Sequence, residues 1–305
     1  MSGHRPAAPD RREFLRRCAG SAVAAAFAGC AQGGRAEPGA DPAMKTDPPV
    51  RMPVLFVGHG SPMNAIEDNT WSRGFASLAR AVPRPRAVLA ISAHWCTDGT
   101  WLTAGSQPLT IHDFSGFPQE LSEIEYPAPG HRDLAQRVQR MLAARGAGLS
   151  NEWGLDHGTW SVLRRMYPDA SVPVVQLSID ARLEPADHLE LARSLAPLRG
   201  DGVLVLGSGN ITHNLRYAFA HSGDAAVPPW AQGFDEAVVQ ALQARDDRRL
   251  AALAATPDGR LSHPYPDHWW PLLYAYAATD SGDAAAFPIT GFDLGSLSMR
   301  AVQFG

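Results

Sequence analysis

The stretch Pro53-Val54-Leu55-Phe56-Val57-Gly58-His59-Gly60-Ser61-Pro62 decides how this chain is read. Val54 to Val57 are apolar and partly β-branched, as in a buried strand, and Gly58, Gly60 and Pro62 end the run. His59 therefore stands where a strand stops and the chain turns. Open α/β sheets bind ligands at the carboxyl ends of their strands. Glycines on both sides let backbone approach an imidazole closely. A histidine in that place is either a hydrogen-bonded structural residue or a metal ligand, and one instance does not decide between them.

The pattern recurs. Ala87 to Ala93 is a second apolar run with His94 at its end, and Gly202 to Gly207 is a third, followed by Ser208-Gly209-Asn210-Ile211-Thr212-His213. Strands that lead into histidines predict a sheet edge that gathers imidazoles. A further strand is expected over 172–179, and final strands over 287–290 and 296–303. Apolar periodicity predicts helices over 71–80, 131–144, 161–166 and 184–198, and a long polar helical region over 230–255. The segment 101–129 reads as irregular. Strands alternating with helices make an α/β protein with a central, mostly parallel or mixed sheet flanked by helices, its site at the C-terminal ends of the strands.

The chain has 305 residues, 45% of them hydrophobic and 19% charged, enough for a sizeable core. A net charge of −4 gives no basic excess for nucleic acid or an anionic membrane surface. The first residues stand apart. Asp10-Arg11-Arg12-Glu13-Phe14-Leu15-Arg16 is a twin-arginine pattern, and an apolar run of small residues follows from Cys18 to Gly29. Residues 1–30 are thus expected to direct export in the folded state, to the periplasm. Phe27-Ala28-Gly29-Cys30 resembles a lipobox, so export ends either in a soluble protein or in one held at the membrane by a lipid on Cys30. Residues 31–51, rich in Gly, Ala, Pro and Asp, read as a linker, and the fold spans 52–305. With Cys18 and Cys30 in the signal, Cys96 is alone in the fold, which excludes an internal disulfide and a Cys-rich zinc site there.

Among 11 histidines, His59, His94, His157, His213 and His268 stand at element ends in turns marked by Gly or Pro. His131, His188 and His221 read as solvated surface, while His112 and His263 lie near the expected pocket and stay undecided. In the loop Ile111-His112-Asp113-Phe114-Ser115-Gly116-Phe117-Pro118, Phe114 and Phe117 read equally as pocket wall or packed surface, as does Tyr126 beyond it. Imidazole-rich sites suit zinc, iron(II), copper or nickel, and a catalytic one keeps a position open. No carboxylate stands out beside the histidines. The residues alone leave two metal chemistries open, oxygen activation at iron(II) and hydrolysis at zinc.

Taken together, several ordered motifs resemble the class III extradiol ring-cleavage dioxygenases, most closely the 4,5-DOPA dioxygenase branch. They are Gly-His-Gly-Ser-Pro around His59, Ser-Ala-His-Trp around His94, the Ile111–Pro118 loop, the Tyr-Pro-Ala-Pro-Gly run at 126–130, Asp-His-Gly around His157, Gly-Ser-Gly-Asn-Ile-Thr-His-Asn-Leu around His213, and Pro-Asp-His-Trp-Trp-Pro-Leu around His268. The resemblance covers about 52–303. It implies a single catalytic domain over 52–305 with one divalent metal per chain, iron(II) for catalysis or zinc as found. It implies that His59, His94 and His268 are metal ligands, with His268 where the protocatechuate enzyme holds a glutamate. His213 is then either a fourth metal neighbour or the acid/base, and His157 lies over the substrate as a second catalytic group. Trp95, Phe114 and Phe117 are expected to line a slot for the ring, with His112 beside them. The implied reaction opens the ring of a DOPA-like catechol with O2, beside its hydroxyls and not between them. The alternatives are a zinc hydrolase and an exported metal-binding protein on the same histidines. The sequence does not give the oligomeric state.

Overall fold

The computed structural model describes residues 50–221 and 226–305. The expected signal over 1–30, with Cys30, and the linker as far as residue 49 lie outside those residues. In chain order the elements are β1 (Val54–Gly58), α1 (Thr70–Ala81), β2 (Ala87–Thr97), β3 (Trp101–Thr103), α2 (Gln119–Ser122), α3 (Arg132–Met141), β4 (Gly148–Ser150), α4 (His157–Met166), β5 (Val174–Asp180), α5 (Pro185–Arg193) and β6 (Val203–Gly209). Then follow α6 (Leu215–Ala220), α7 (Pro229–Gln243), α8 (Asp247–Leu253), α9 (Pro257–Ser262), α10 (Trp270–Ala277), β7 (Ala285–Ile289), β8 (Phe292–Asp293), β9 (Leu297–Ser298) and β10 (Ala301–Phe304).

Eight strands form one sheet in the order β4-β3-β5-β2-β6-β1-β10-β7, and β8 and β9 make a separate ribbon. Its centre, β5-β2-β6-β1, is parallel, and β3 and β10 join it antiparallel. Every residue of β1, β5 and β6 is buried, as it must be in strands covered on both faces. Side chains alternate between the faces of a strand, and the end of β6 shows what covers each. The Ser208 hydroxyl donates to Gly158 O of α4 at 2.5 Å. A Cβ on Gly207 or Gly209 would instead lie 2.4 Å from Pro271 O or 2.3 Å from His268 O. So α4 closes one face over this edge, and α10 with the 3₁₀ turn before it, Pro266–His268, closes the other. No helix among the described residues is long and apolar enough to cross a membrane.

The fold agrees with the α/β expectation, a mostly parallel, mixed sheet in a single domain. Several elements fall elsewhere than expected. His94 is inside β2, which runs on to Thr97; its register with β5 breaks between Ile91 and Cys96, and its pairing with β6 ends at Ser92. An interrupted ladder re-aims the side chains within it, which is how a mid-strand residue reaches a site. His157 is the first residue of α4 and not part of a turn before it, because Asp156 caps the helix by accepting from the Thr159 N–H. The region 230–255 is two helices, parted where Arg245 takes φ 53° and Asp246 caps α8. The helix expected over 184–198 stops at Arg193, and Pro197 lies in a separate 3₁₀ turn, Ala196–Asp201. The segment 101–129 holds β3 and α2, too short to show a period. The strand expected over 296–303 is divided between β9 and β10.

Candidate metal centre

The backbone brings three histidines together before their side chains are considered. The His59 N–H donates to Gly209 O at 3.0 Å, which stitches the residue after β1 to the end of β6. The Asn210 N–H donates to His268 O at 3.0 Å, and the bare Cα of Gly209 is what lets that carbonyl approach. His94 comes from the interrupted part of β2. One ring nitrogen from each of His59, His94 and His268 lies within 4.8 Å of the other two.

The partners of each ring bear on which nitrogens are free. A carbonyl can only accept, so the Ser208 hydroxyl spends its proton on Gly158 O. Its oxygen must then accept from His59 Nδ1, 3.0 Å away, which leaves His59 Nε2 with a bare lone pair. His94 Nδ1 lies 3.2 Å from the Asp113 carboxylate, whose charge favours a proton on that nitrogen and so a bare His94 Nε2. These two Nε2 atoms are 3.2 Å apart. Asp267 Oδ1 accepts from the His268 N–H at 2.8 Å and faces His268 Nδ1 at 3.0 Å. His268 Nε2 is buried with no hydrogen-bond partner. Bare imidazole nitrogens converging in a buried site repel one another unless a cation joins them. The donor set fits a borderline divalent metal held by His59, His94 and His268, and each ligand's other nitrogen has the partner that such ligands use.

Electrostatics point the same way. Burial, and then the neighbouring imidazoles, hold the pKa of His59, His94, His213 and His268 well below the ordinary 6.5, so their neutral forms are favoured. Burial pushes the Asp113 carboxyl up, but His157 and His94 outweigh it and hold it well below the carboxylate range. Burial raises Asp156 to about 6, with Asp113 adding to the effect.

Around this centre, His213 stacks on His268, ring centroids 3.5 Å apart and planes 4° from parallel, but it is not one of the three converging nitrogens. His157 lies on the other side, its ring 3.9 Å from that of His94. Its backbone N–H donates to Asp113 Oδ1 at 3.0 Å, and its Nδ1 is 2.9 Å from the same oxygen, outside hydrogen-bonding alignment. Phe114 meets His157 edge-on at 5.6 Å, and Phe117 packs edge-on against Phe114 with 38% of its surface exposed. His112 donates from Nε2 to Ile124 O and packs against Phe114 and Trp160. Trp95 is 5% exposed and stacks on Trp153, and none of its ring contacts is with a site histidine.

Three carboxylates were not singled out from the sequence: Asp113, Asp156 and Asp267. Asp267 and Asp156 could have been found as sequence neighbours of His268 and His157. Asp113 had only its place in a quoted loop. His188, expected on the surface, is fully buried, its Nδ1 3.1 Å from the Tyr274 hydroxyl. His263 is held by a bond from Nε2 to Ile211 O at 2.7 Å and lies between Phe234 and Trp269.

Comparison with known proteins adds a family to this geometry. The model for the catalytic LigB subunit of aromatic ring-opening dioxygenase matches residues 53–290. A protein of Escherichia coli (strain K12) named 4,5-DOPA dioxygenase extradiol is 48% identical over 259 residues, 84% of this chain and 95% of that protein. A Beta vulgaris protein of the same name is 37% identical over 258 residues, 82% of this chain and 96% of that one. A crystal structure of an uncharacterized protein from Escherichia coli K12 superposes with a TM-score of 0.74 at 43% identity, covering 84% of this chain and all of the other.

Proposed function

We propose that this chain, which belongs to the family of the catalytic LigB subunit of aromatic ring-opening dioxygenase, opens the ring of a small catechol of the DOPA kind at the histidine cluster. The enzyme is a metal-dependent extradiol dioxygenase, and membership of that family sets aside the hydrolase and metal-carrier alternatives. The observation that carries the site assignment is the convergence of three imidazole nitrogens, two facing each other at 3.2 Å and the third buried without a partner. His59, His94 and His268 would hold the metal, iron(II) for turnover. When bound, it supplies a Lewis acid and a path for electron density between a catecholate and O2.

The chain's own residues do the rest. His213, half-buried and favoured in its neutral form, is placed to take a phenolic proton and later return one. His157 faces the cluster from the opposite side, with Asp113 against its Nδ1, and is placed to donate a hydrogen bond or a proton on that side. Phe114 offers an apolar edge on which an aromatic ring packs. Trp95, turned towards Trp153, has no part in this reading.

Oxygen uptake tests the reading. Protein purified anaerobically and loaded with iron(II) is expected to consume O2 with DOPA or a simpler catechol and to form the visible chromophore of a ring-opened semialdehyde. Protein with one iron per chain that consumes no O2 across a catechol panel would overturn the substrate assignment. The twin-arginine stretch supports export of the folded protein, soluble or anchored at Cys30. Replacing Arg11 and Arg12 with Lys should leave the enzyme in the cytoplasmic fraction; unchanged export would refute that route.

A further inference from the structure

The Asp113 carboxylate touches two histidines with different tasks. Its Oδ2 lies 3.2 Å from His94 Nδ1, and its Oδ1 accepts the backbone N–H of His157 at 3.0 Å while facing His157 Nδ1 at 2.9 Å. The side chain is 18% exposed. The loop that carries it is tied down close by. The Ile111 N–H donates to Leu155 O at 2.7 Å, Trp160 Nε1 donates to Ile111 O at 2.9 Å, and His112 Nε2 donates to Ile124 O at 3.0 Å. A carboxylate so held is positioned by the fold and does not drift with solvent.

We propose that Asp113 is a positioning residue that fixes the tautomer of His94, keeping its proton on Nδ1 so that Nε2 is free for the metal. This rests on the reading of His59, His94 and His268 as ligands. The two oxygens are not equivalent. Oδ1 receives a backbone N–H, which always donates, so that position must remain an acceptor. In Asp113→Asn the amide oxygen therefore takes the Oδ1 place, and the NH2 turns to His94. A donor facing His94 Nδ1 moves the imidazole proton to Nε2, where it points at His59 Nε2 and blocks the metal. The variant keeps the volume and the bond to His157 but inverts one ligand. Partners behind metal-bound histidines generally change affinity by roughly 10–100-fold when lost.

The experiment is competition of the metal-free full-length protein with a chromogenic chelator for zinc, with no catechol present. Alongside it, the thermal midpoint of the metal-free protein and long-range nitrogen–proton NMR of the His94 ring are recorded. Asp113→Asn is expected to bind zinc roughly 10–100-fold more weakly, with an unchanged metal-free midpoint and with the His94 proton moved from Nδ1 to Nε2. Wild-type affinity in the variant would overturn the proposal. So would weaker binding with a lowered metal-free midpoint and an unmoved His94 proton, which would make Asp113 a structural prop. A wild-type protein that binds no zinc would overturn the ligand assignment and this inference with it. A wild-type protein that binds zinc but consumes no oxygen when loaded with iron would overturn only the substrate assignment.

Discussion

His213 and His268 form the closest pair of rings in the site, yet they are given different work. His268 ends in a buried nitrogen without a partner, whereas His213 is half-buried and open to a substrate proton. His213→Ala should therefore keep stoichiometric metal and lose about 10²–10⁴-fold in kcat, the range for a general acid or base. Metal analysis of the purified variant checks this, and a metal-free variant would make His213 a ligand. Gly209 makes a second residue-level case. A methyl there meets a backbone carbonyl that cannot swing away, so Gly209→Ala must displace His268. It should cost about 1–3 kcal/mol and abolish metal retention, while Gly207→Ala, which presses on Pro271, should cost as much and retain metal. Melting curves and metal content separate the two. His59, His157 and His268 drew notice because Gly or Pro stands within two residues of each, and His94 and His213 because apolar strands lead up to them. Asp113 was not, since its partner His157 lies 44 residues downstream and no local pattern joins them. His188 was misread for a related reason. It sits among Asp187, Leu189 and Glu190, which look like an exposed face, but its packing partner Tyr274 is 86 residues away.

Helix α4 owes its start to Asp156, which does more than cap it. Oδ1 accepts from the Ser92 hydroxyl of β2 at 2.6 Å and from the Thr159 N–H at 3.2 Å, and Oδ2 accepts from the Gln176 amide of β5. One side chain thus ties the helix that presents His157 to two strands of the sheet. Asp156→Ala removes a cap and strands buried Ser92 and Gln176, so it should cost about 2–4 kcal/mol and lower kcat by displacing His157. Urea unfolding of the metal-free protein measures the first effect. The helix was foreseen only from Ser161 onward, because Gly158 and the Gly-bounded Asp-His pair look like a turn until the capping bond is seen. Continuous apolar runs made β1, β2, β5 and β6 legible. The departure of β2 from its ladder was not, because a bulge is chosen by neighbouring strands and leaves no mark in period.

At the scale of the molecule, the buried histidines make stability depend on pH. Burial holds His188 at about 4 against an ordinary 6.5, so the unfolded chain takes up the proton first. Its contribution is complete above about 6.5 and is lost as pH falls toward 4, up to roughly 3 kcal/mol by the free energy per pKa unit. His188→Gln should flatten the fall in unfolding free energy between pH 7 and 4 in metal-free protein, as read from urea titrations at each pH. An unchanged slope would show that the ring finds another way to hold its proton. The overall architecture was legible from the alternation of strands and helices, but the insertion of β6 between β2 and β1 was not, since strand order is decided by long-range pairing. That insertion, with β10 closing the other side of β1, has a consequence for how the enzyme is born. His59 leaves the ribosome early, yet the strand before it lacks one neighbour until Val203–Gly209 is made and the other until Ala301–Phe304 emerges. His268 also comes late. A nascent chain consequently carries no complete nest for a cation, and metal loading belongs to the finished polypeptide. Scarcity of metal in the cell would then act on finished chains and not on growing ones.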